Sequence, residues 1–171
     1  GGHVVVCVHG LTRQGRDFDV LACRLLAVDP DLTVLCPDVV GRGQSDWLAN
    51  PQGYQIPVYA ADLMQGLSAW HARWPMARLD WVGTSMGGVV GLILAAQPAP
   101  ARGFPFSRLV LNDVGPSLPW AFVERLRTTV VAGDAESKAS GRSKAAAVGL
   151  NQSICWAAIF SVSSLETFGL W

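Results

Sequence analysis

Ser85 stands at the centre of Gly83-Thr84-Ser85-Met86-Gly87, between a β-rich run at 79–82 and an apolar, helix-like run that ends near Gln97. G-x-S-x-G in a strand–turn–helix context presents a hydroxyl for nucleophilic acyl transfer. A side chain at the apex of so sharp a turn sits in strained backbone, and glycines two positions away on either side avoid collisions. The hydroxyl is thereby held clear of the sheet. The N–H of Met86, at the start of the following helix, points to where an oxyanion would form. A plain Gly/Ser turn has the same spelling, so the surrounding landmarks must decide between the two.

Each landmark follows a strand. Residues 3–8 (H-V-V-V-C-V) are a continuous β-branched run, the pattern of a strand buried on both faces, and lead into His9-Gly10-Leu11-Thr12. A helix is expected over about 16–28, with Phe18, Leu21, Leu25 and Val28 at helical spacing and Pro30 beyond it. A second buried strand at 32–36 closes on Pro37-Asp38 and the glycine-rich loop Gly41-Arg42-Gly43-Gln44-Ser45-Asp46. Residues 57–74 return to helical spacing through Ala60, Leu63, Leu67, Trp70 and Trp74. After the Ser85 turn and its helix, a fourth strand at 108–112 ends at Asp113. Such alternation implies an α/β fold with a doubly wound parallel sheet and right-handed crossovers.

Composition narrows the classes. The 171 residues suffice for one domain with a real core, and half of them are hydrophobic against 15% charged, which excludes a disordered chain. Zero formal net charge gives no reason to expect nucleic acid or an anionic membrane surface as partner. These 171 residues carry no basic-then-apolar signal-peptide pattern and no apolar span of about 20 residues. The four cysteines (Cys7, Cys23, Cys36, Cys155) make no metal spacing, and Cys7 and Cys36 fall in apolar strands. A reducing, cytoplasmic setting is therefore expected.

Four motifs, H-G-L-T at 9–12, P-D-V-V-G-R-G-Q-S-D at 37–46, G-T-S-M-G-G at 83–88 and L-V-L-N-D-V-G-P at 109–116, open on one edge of the sheet, where ligands bind. In this order they resemble the α/β-hydrolase fold superfamily, in its serine esterase/lipase-like branch, over about residues 1–125. The resemblance implies Ser85 as nucleophile, with Met86 and Leu11 supplying oxyanion-hole N–H groups. His9 and Gly10 would shape the Leu11 loop, and Asp38, Arg42 and Asp46 would be hydrogen-bonding scaffold. Asp113 sits where some members place the triad acid; an Asp closing a strand before V-G-P equally caps a turn. A small ester-like substrate is implied, and neither an organic cofactor nor a metal. Dehalogenase or epoxide-hydrolase chemistry is disfavoured because those relatives carry aspartate where this chain has Ser85. A nucleotide site is disfavoured by the absence of G-x-G-x-x-G after the first strand and of a P-loop lysine.

The departure from the family is the base. In this fold it is a histidine after the last strand, whereas the three histidines here are His3, His9 and His71, all before Ser85. His3 and His71 fall on the far edge of the sheet, and only His9 on the edge of Ser85. The expected activity is thus ester hydrolysis impaired by an incomplete triad; the alternative is a catalytically inactive fragment or remnant binding module. The chain opens Gly1-Gly2 and reads as truncated at both ends, a hydrolase core at 1–127 without the family's first two and last two strands. An irregular tail at 128–171 of uncertain structure follows, suggestive of a frameshift. Losing outer strands exposes apolar edges at 32–36 and 108–112, so self-association through sheet edges is expected, with the apolar stretch 150–171 as a candidate cover for one.

Overall fold

Val4 to Val8 carry no polar interruption, and all five are buried against both faces of a sheet, as an interior parallel strand requires. This is β1 (Gly2–Val8), paired in parallel with β2 (Thr33–Leu35) on one side and β3 (Met76–Thr84) on the other. β3 pairs in parallel with β4 (Phe106–Asn112), which takes β5 (Ala157–Ser161) antiparallel on its outer side. The order is β2-β1-β3-β4-β5. These elements come from a computed structural model, which describes residues 2–113 and 157–161. The boundary expected at 127/128 and the rest of the tail lie outside the described residues.

Alternate side chains of β1 point to opposite faces. Val4, Val6 and Val8 face α2 (Ile56–Arg73) and α3 (Met86–Ala96) in the main core with Tyr59, Leu67, Trp81, Val90 and Leu94. Val5 and Cys7 face the other way, onto Phe18, Leu32 and Leu25. With helices on both faces, the four parallel strands form the expected doubly wound sheet. A short helix, α4 (Ala99–Arg102), leads into β4 through the left-handed Gly103.

Two expectations need revision. The stretch read as one helix over 16–28 is a single 3₁₀ turn at Gly15–Phe18 followed by α1 (Asp19–Val28). Of its four spaced apolar residues, Phe18 is buried and Leu25 packs on its cluster, while Leu21 and Val28 face outward, Val28 86% exposed. At about 3.6 residues per turn Leu25 falls in line with Phe18, whereas Leu21 and Val28 fall to one side of the face that packs on the sheet. The second revision concerns β4. The sequence expects an exposed edge there, with the irregular stretch 150–171 as a candidate cover, and β5 from that stretch pairs as a regular strand along Arg108 to Asn112. Among the described residues the sheet then ends on two short strands, β2 with three residues and β5 with five. Short edge strands offer little template for another chain.

Candidate active site

The strand order places a switch point in the middle of the sheet. The chain leaves β1 for β2 on one side, then crosses back to β3 on the other, so the loops after β1 and β3 part and leave a crevice between them. Gly10 and Ser85 meet there: a Cβ built on Gly10 would lie 3.7 Å from Ser85 Cβ.

Ser85 has φ 49° and ψ −111°, a left-handed conformation that costs a side-chain-bearing residue about 1–3 kcal/mol. Its surroundings hold it there. Its N–H donates to the Asn112 carbonyl at 2.9 Å, extending the β3–β4 ladder, and its own carbonyl accepts from Gly88 and Val89 at the start of α3. The Asn112 side chain adds a 3.1 Å hydrogen bond to Thr84 Oγ1. The flanking glycines are sterically required. A Cβ on Gly83 would fall 2.3 Å from the Gly87 carbonyl oxygen, and one on Gly87 would fall 2.1 Å from that of Val8. The elbow is thus wedged between its own helix and β1.

Among the described residues, the N–H groups of Met86 and Leu11 have no hydrogen-bond acceptor. Met86 opens α3, where N–H groups lack intrahelical partners and the helix dipole favours negative charge. Asp113 follows β4 on the same edge, exposed, with φ 58°. That left-handed conformation suits an aspartate closing a strand.

The loop after β1 is fastened to the loop after β2. His9, 1% exposed, accepts the Val39 N–H on Nε2 at 3.0 Å. The partners therefore put the ring proton on Nδ1, which donates to the Gly10 carbonyl at 2.7 Å. Asp38 accepts from the N–H groups of Gly15 (2.7 Å) and Gln44 (2.8 Å). Burial pushes its carboxyl upward, but these two donors and the nearby His9 outweigh it, and its pKa lies below the usual 3.8. Arg42 donates to the carbonyls of Leu11 and Val40. The Asp46 contribution is a main-chain one, its carbonyl accepting from Gly41.

All three histidines are committed to the fold. His3 pairs with Asp80 at 2.9 Å on the opposite edge, and His71 Nδ1 accepts the Met76 N–H between α2 and β3. His9 shares an edge with Ser85, but both its nitrogens are engaged. Cys7, fully buried, is pushed up to about 12 by burial and by the neighbouring Cys36 thiol, which makes it a poor nucleophile. A cavity of about 380 Å³ lies elsewhere, between Leu35, Cys36 and the Leu63–Trp70 side of α2.

Burial holds the His9 imidazole below its ordinary value of 6.5, against the upward pull of the Gly10 carbonyl and Asp38. The unfolded chain therefore binds a proton before the native one does. The His9 contribution is constant above about pH 6.5 and is lost as pH falls below it, levelling once the native ring titrates. Urea midpoints should drop between pH 7 and pH 5, and His9→Gln should flatten that slope. Asp38 acts lower, below pH 3.8, where its hydrogen-bonded carboxylate must take up a proton. An equal slope in the variant would remove His9 as the cause.

The family model Hydrolase_4, described as serine aminopeptidase, S33, matches residues 2–118. The chain belongs to this family. It is an α/β hydrolase, and solved relatives agree. An α/β hydrolase from Novosphingobium aromaticivorans DSM 12444 is 38% identical with a TM-score of 0.56, covering 82% of this chain and 49% of its own. A hydrolase from Pseudomonas aeruginosa PA01 is 26% identical with a TM-score of 0.53, over the same shares. A marine microorganism esterase, at 19% identity and a TM-score of 0.57, covers 79% of this chain and 47% of its own and shares the fold. Among curated proteins, the 3-hydroxybutyrate-oligomer hydrolase of Cupriavidus necator is 48% identical over 123 residues, which is 72% of this chain and 38% of that protein. This hydrolase chain thus spans less than half the length of the relatives it matches. Among the described residues no helix is long and apolar enough to cross a membrane.

Sequence reasoning missed the hydrogen bond from Val39 to His9 and the reach of Arg42 to Leu11. Both join loops about 30 positions apart, and no local spacing encodes them.

Proposed function

We propose that this α/β hydrolase is of the carboxylic-ester type, with Ser85 as nucleophile and the N–H groups of Met86 and Leu11 as the oxyanion hole. The observation that carries the reading is the strained Ser85 turn, wedged by Gly83 and Gly87 and opening beside Gly10. Ser85 Oγ attacks the ester carbonyl carbon, the oxygen takes the negative charge, and collapse expels the alcohol and leaves an acyl-enzyme for water to cleave. Asp113 is the candidate acid. The substrate class is a small ester, and the 48% identity to a 3-hydroxybutyrate-oligomer hydrolase favours short hydroxyacid oligoesters.

Taken for these 171 residues alone, the reading includes an impairment. Within them no histidine follows Ser85, and the three that precede it are held by the fold. Serine hydrolases stripped of a triad member keep roughly 10³–10⁴-fold over water through the oxyanion hole and binding alone. That same engagement favours a second reading, in which the crevice binds a ligand without turning it over.

Burst kinetics with p-nitrophenyl acetate separate the two. The first reading expects a p-nitrophenolate burst, up to one equivalent per chain, that Ser85→Ala abolishes. Identical traces from the two proteins would leave the elbow idle and favour the binding module.

A further inference from the structure

Three rungs tie the loop after β1 to the loop after β2: His9 to Val39, Gly15 to Asp38, and Arg42 to Leu11. The third differs from the others, since it ends on the residue whose N–H is a candidate oxyanion donor. Arg42 Nε donates to the Leu11 carbonyl at 3.0 Å, and Nη1 donates to the Val40 carbonyl at 2.8 Å. Its guanidinium lies over the rings of Tyr59, 4.8 Å from the centroid, and Tyr54, 5.7 Å away. Both rings are fixed. Tyr59 is 1% exposed, while Tyr54 accepts the Leu48 N–H at 2.8 Å and fills the space beside Gly41, where a Cβ would lie 2.4 Å from its ring.

The peptide geometry gives these contacts a meaning. The Leu11 N–H shares a plane with the Gly10 carbonyl, which His9 Nδ1 holds. The next plane carries the Leu11 carbonyl, which Arg42 holds. With both planes pinned, the direction of the Leu11 N–H has little freedom left. A donor aimed in advance lowers the barrier because it needs no reorganisation when charge develops. The partly buried, charged and forked donor suits this task better than a lysine, whose point charge cannot hold two carbonyls in one plane.

We infer that Arg42 is a positioning residue that fixes the Leu11 N–H for oxyanion stabilisation. The inference rests on the proposed role of Ser85. A fluorophosphonate probe tests it. Ser85 Oγ forms a bond to phosphorus, the P–F bond breaks, fluoride leaves, and the hydroxyl proton passes to water. Labelling at Ser85, followed by mass spectrometry against probe concentration, yields a saturating rate and a half-saturating concentration. Arg42→Met should lower the saturating rate about 10–100-fold, somewhat less than outright loss of one oxyanion donor. Its half-saturating concentration should stay within about twofold, because the resting probe is not yet an oxyanion. Arg42→Lys should fall between the variant and the parent.

A merely structural Arg42 would move the melting temperature and not this split. If Arg42→Met labels as fast as the parent, the inference fails while the Ser85 reading stands. If the parent resists labelling as fully as Ser85→Ala, the reading fails and takes the inference with it. Should Arg42→Met not fold by circular dichroism, Arg42→Lys decides, and an undiminished saturating rate there overturns the role.

Discussion

Gly87→Ala should leave little or no folded protein. The new methyl would stand 2.1 Å from the Val8 carbonyl oxygen, 2.6 Å from its carbon and 3.0 Å from the His9 carbonyl oxygen. All three are main-chain atoms at the end of the central strand, so no flexible side chain can swing aside. Relief requires α3 to lift off β1 or the β1 ladder to part. Overpacking that neighbours can absorb costs about 1–3 kcal/mol, and this site lies beyond that range. A domain is stable by only about 5–15 kcal/mol, so the loss is of the order of the whole. Gly66 provides the control. It lies in α2 with nothing within 4 Å of its would-be Cβ, so Gly66→Ala should stabilise by about 0.5–1 kcal/mol through helix propensity. Urea unfolding of both variants checks the contrast. Native-like unfolding of Gly87→Ala would show that the elbow is not wedged against β1.

The second large effect is expected at Trp81. This residue of β3 is fully buried, stacks on Phe106 with ring centroids 6.0 Å apart, and donates its indole N–H to the Gly87 carbonyl at 2.9 Å. Gly91 makes room for it, since a Cβ there would lie 2.5 Å from the indole nitrogen. The ring therefore packs the elbow helix onto its own strand. Trp81→Ala should cost about 3–5 kcal/mol, mostly through the cavity left between β3 and α3. Trp81→Phe keeps most of the packing and loses one hydrogen bond, worth about 1 kcal/mol. A shift in the urea midpoint equivalent to less than about 1 kcal/mol for Trp81→Ala would contradict this account. Because Gly87 also belongs to the Ser85 turn, under the acylation proposed above Trp81→Ala should lose any Ser85-dependent burst before it loses secondary structure.

The strands and the elbow were legible because their signals are local. An unbroken, β-branched run such as Val4 to Val8 has the pattern of an interior strand, and G-T-S-M-G encodes its own geometry. Their ends were less legible. β3 starts at Met76 rather than near Leu79, and β4 at Phe106, because ladder pairing with neighbours extends strands past their most apolar residues. For β5 the sequence offers only an apolar stretch at 150–171 able to cover an edge, with no strand bounds. Ala157 to Ser161 has no flanking turn chemistry, and its strand character comes from the β4 ladder that receives it. The family resemblance implies a scaffold role for Asp38 and Arg42 but does not give their partners. Gly43 shows how tight that loop is, with φ 53° and its would-be Cβ 2.0 Å from the Asp38 carboxylate.

The antiparallel pairing of β5 with β4 also sets an order of events during synthesis. β1 to β4 leave the ribosome in sequence and can zip together as they appear. The strand that closes the outer side of β4 arrives only after several dozen further residues, an interval of seconds at roughly 5–20 residues per second. Throughout that interval the β4 ladder stands open to any extended chain nearby, another nascent copy included. The edge is therefore exposed in time, even though it is paired in the finished molecule.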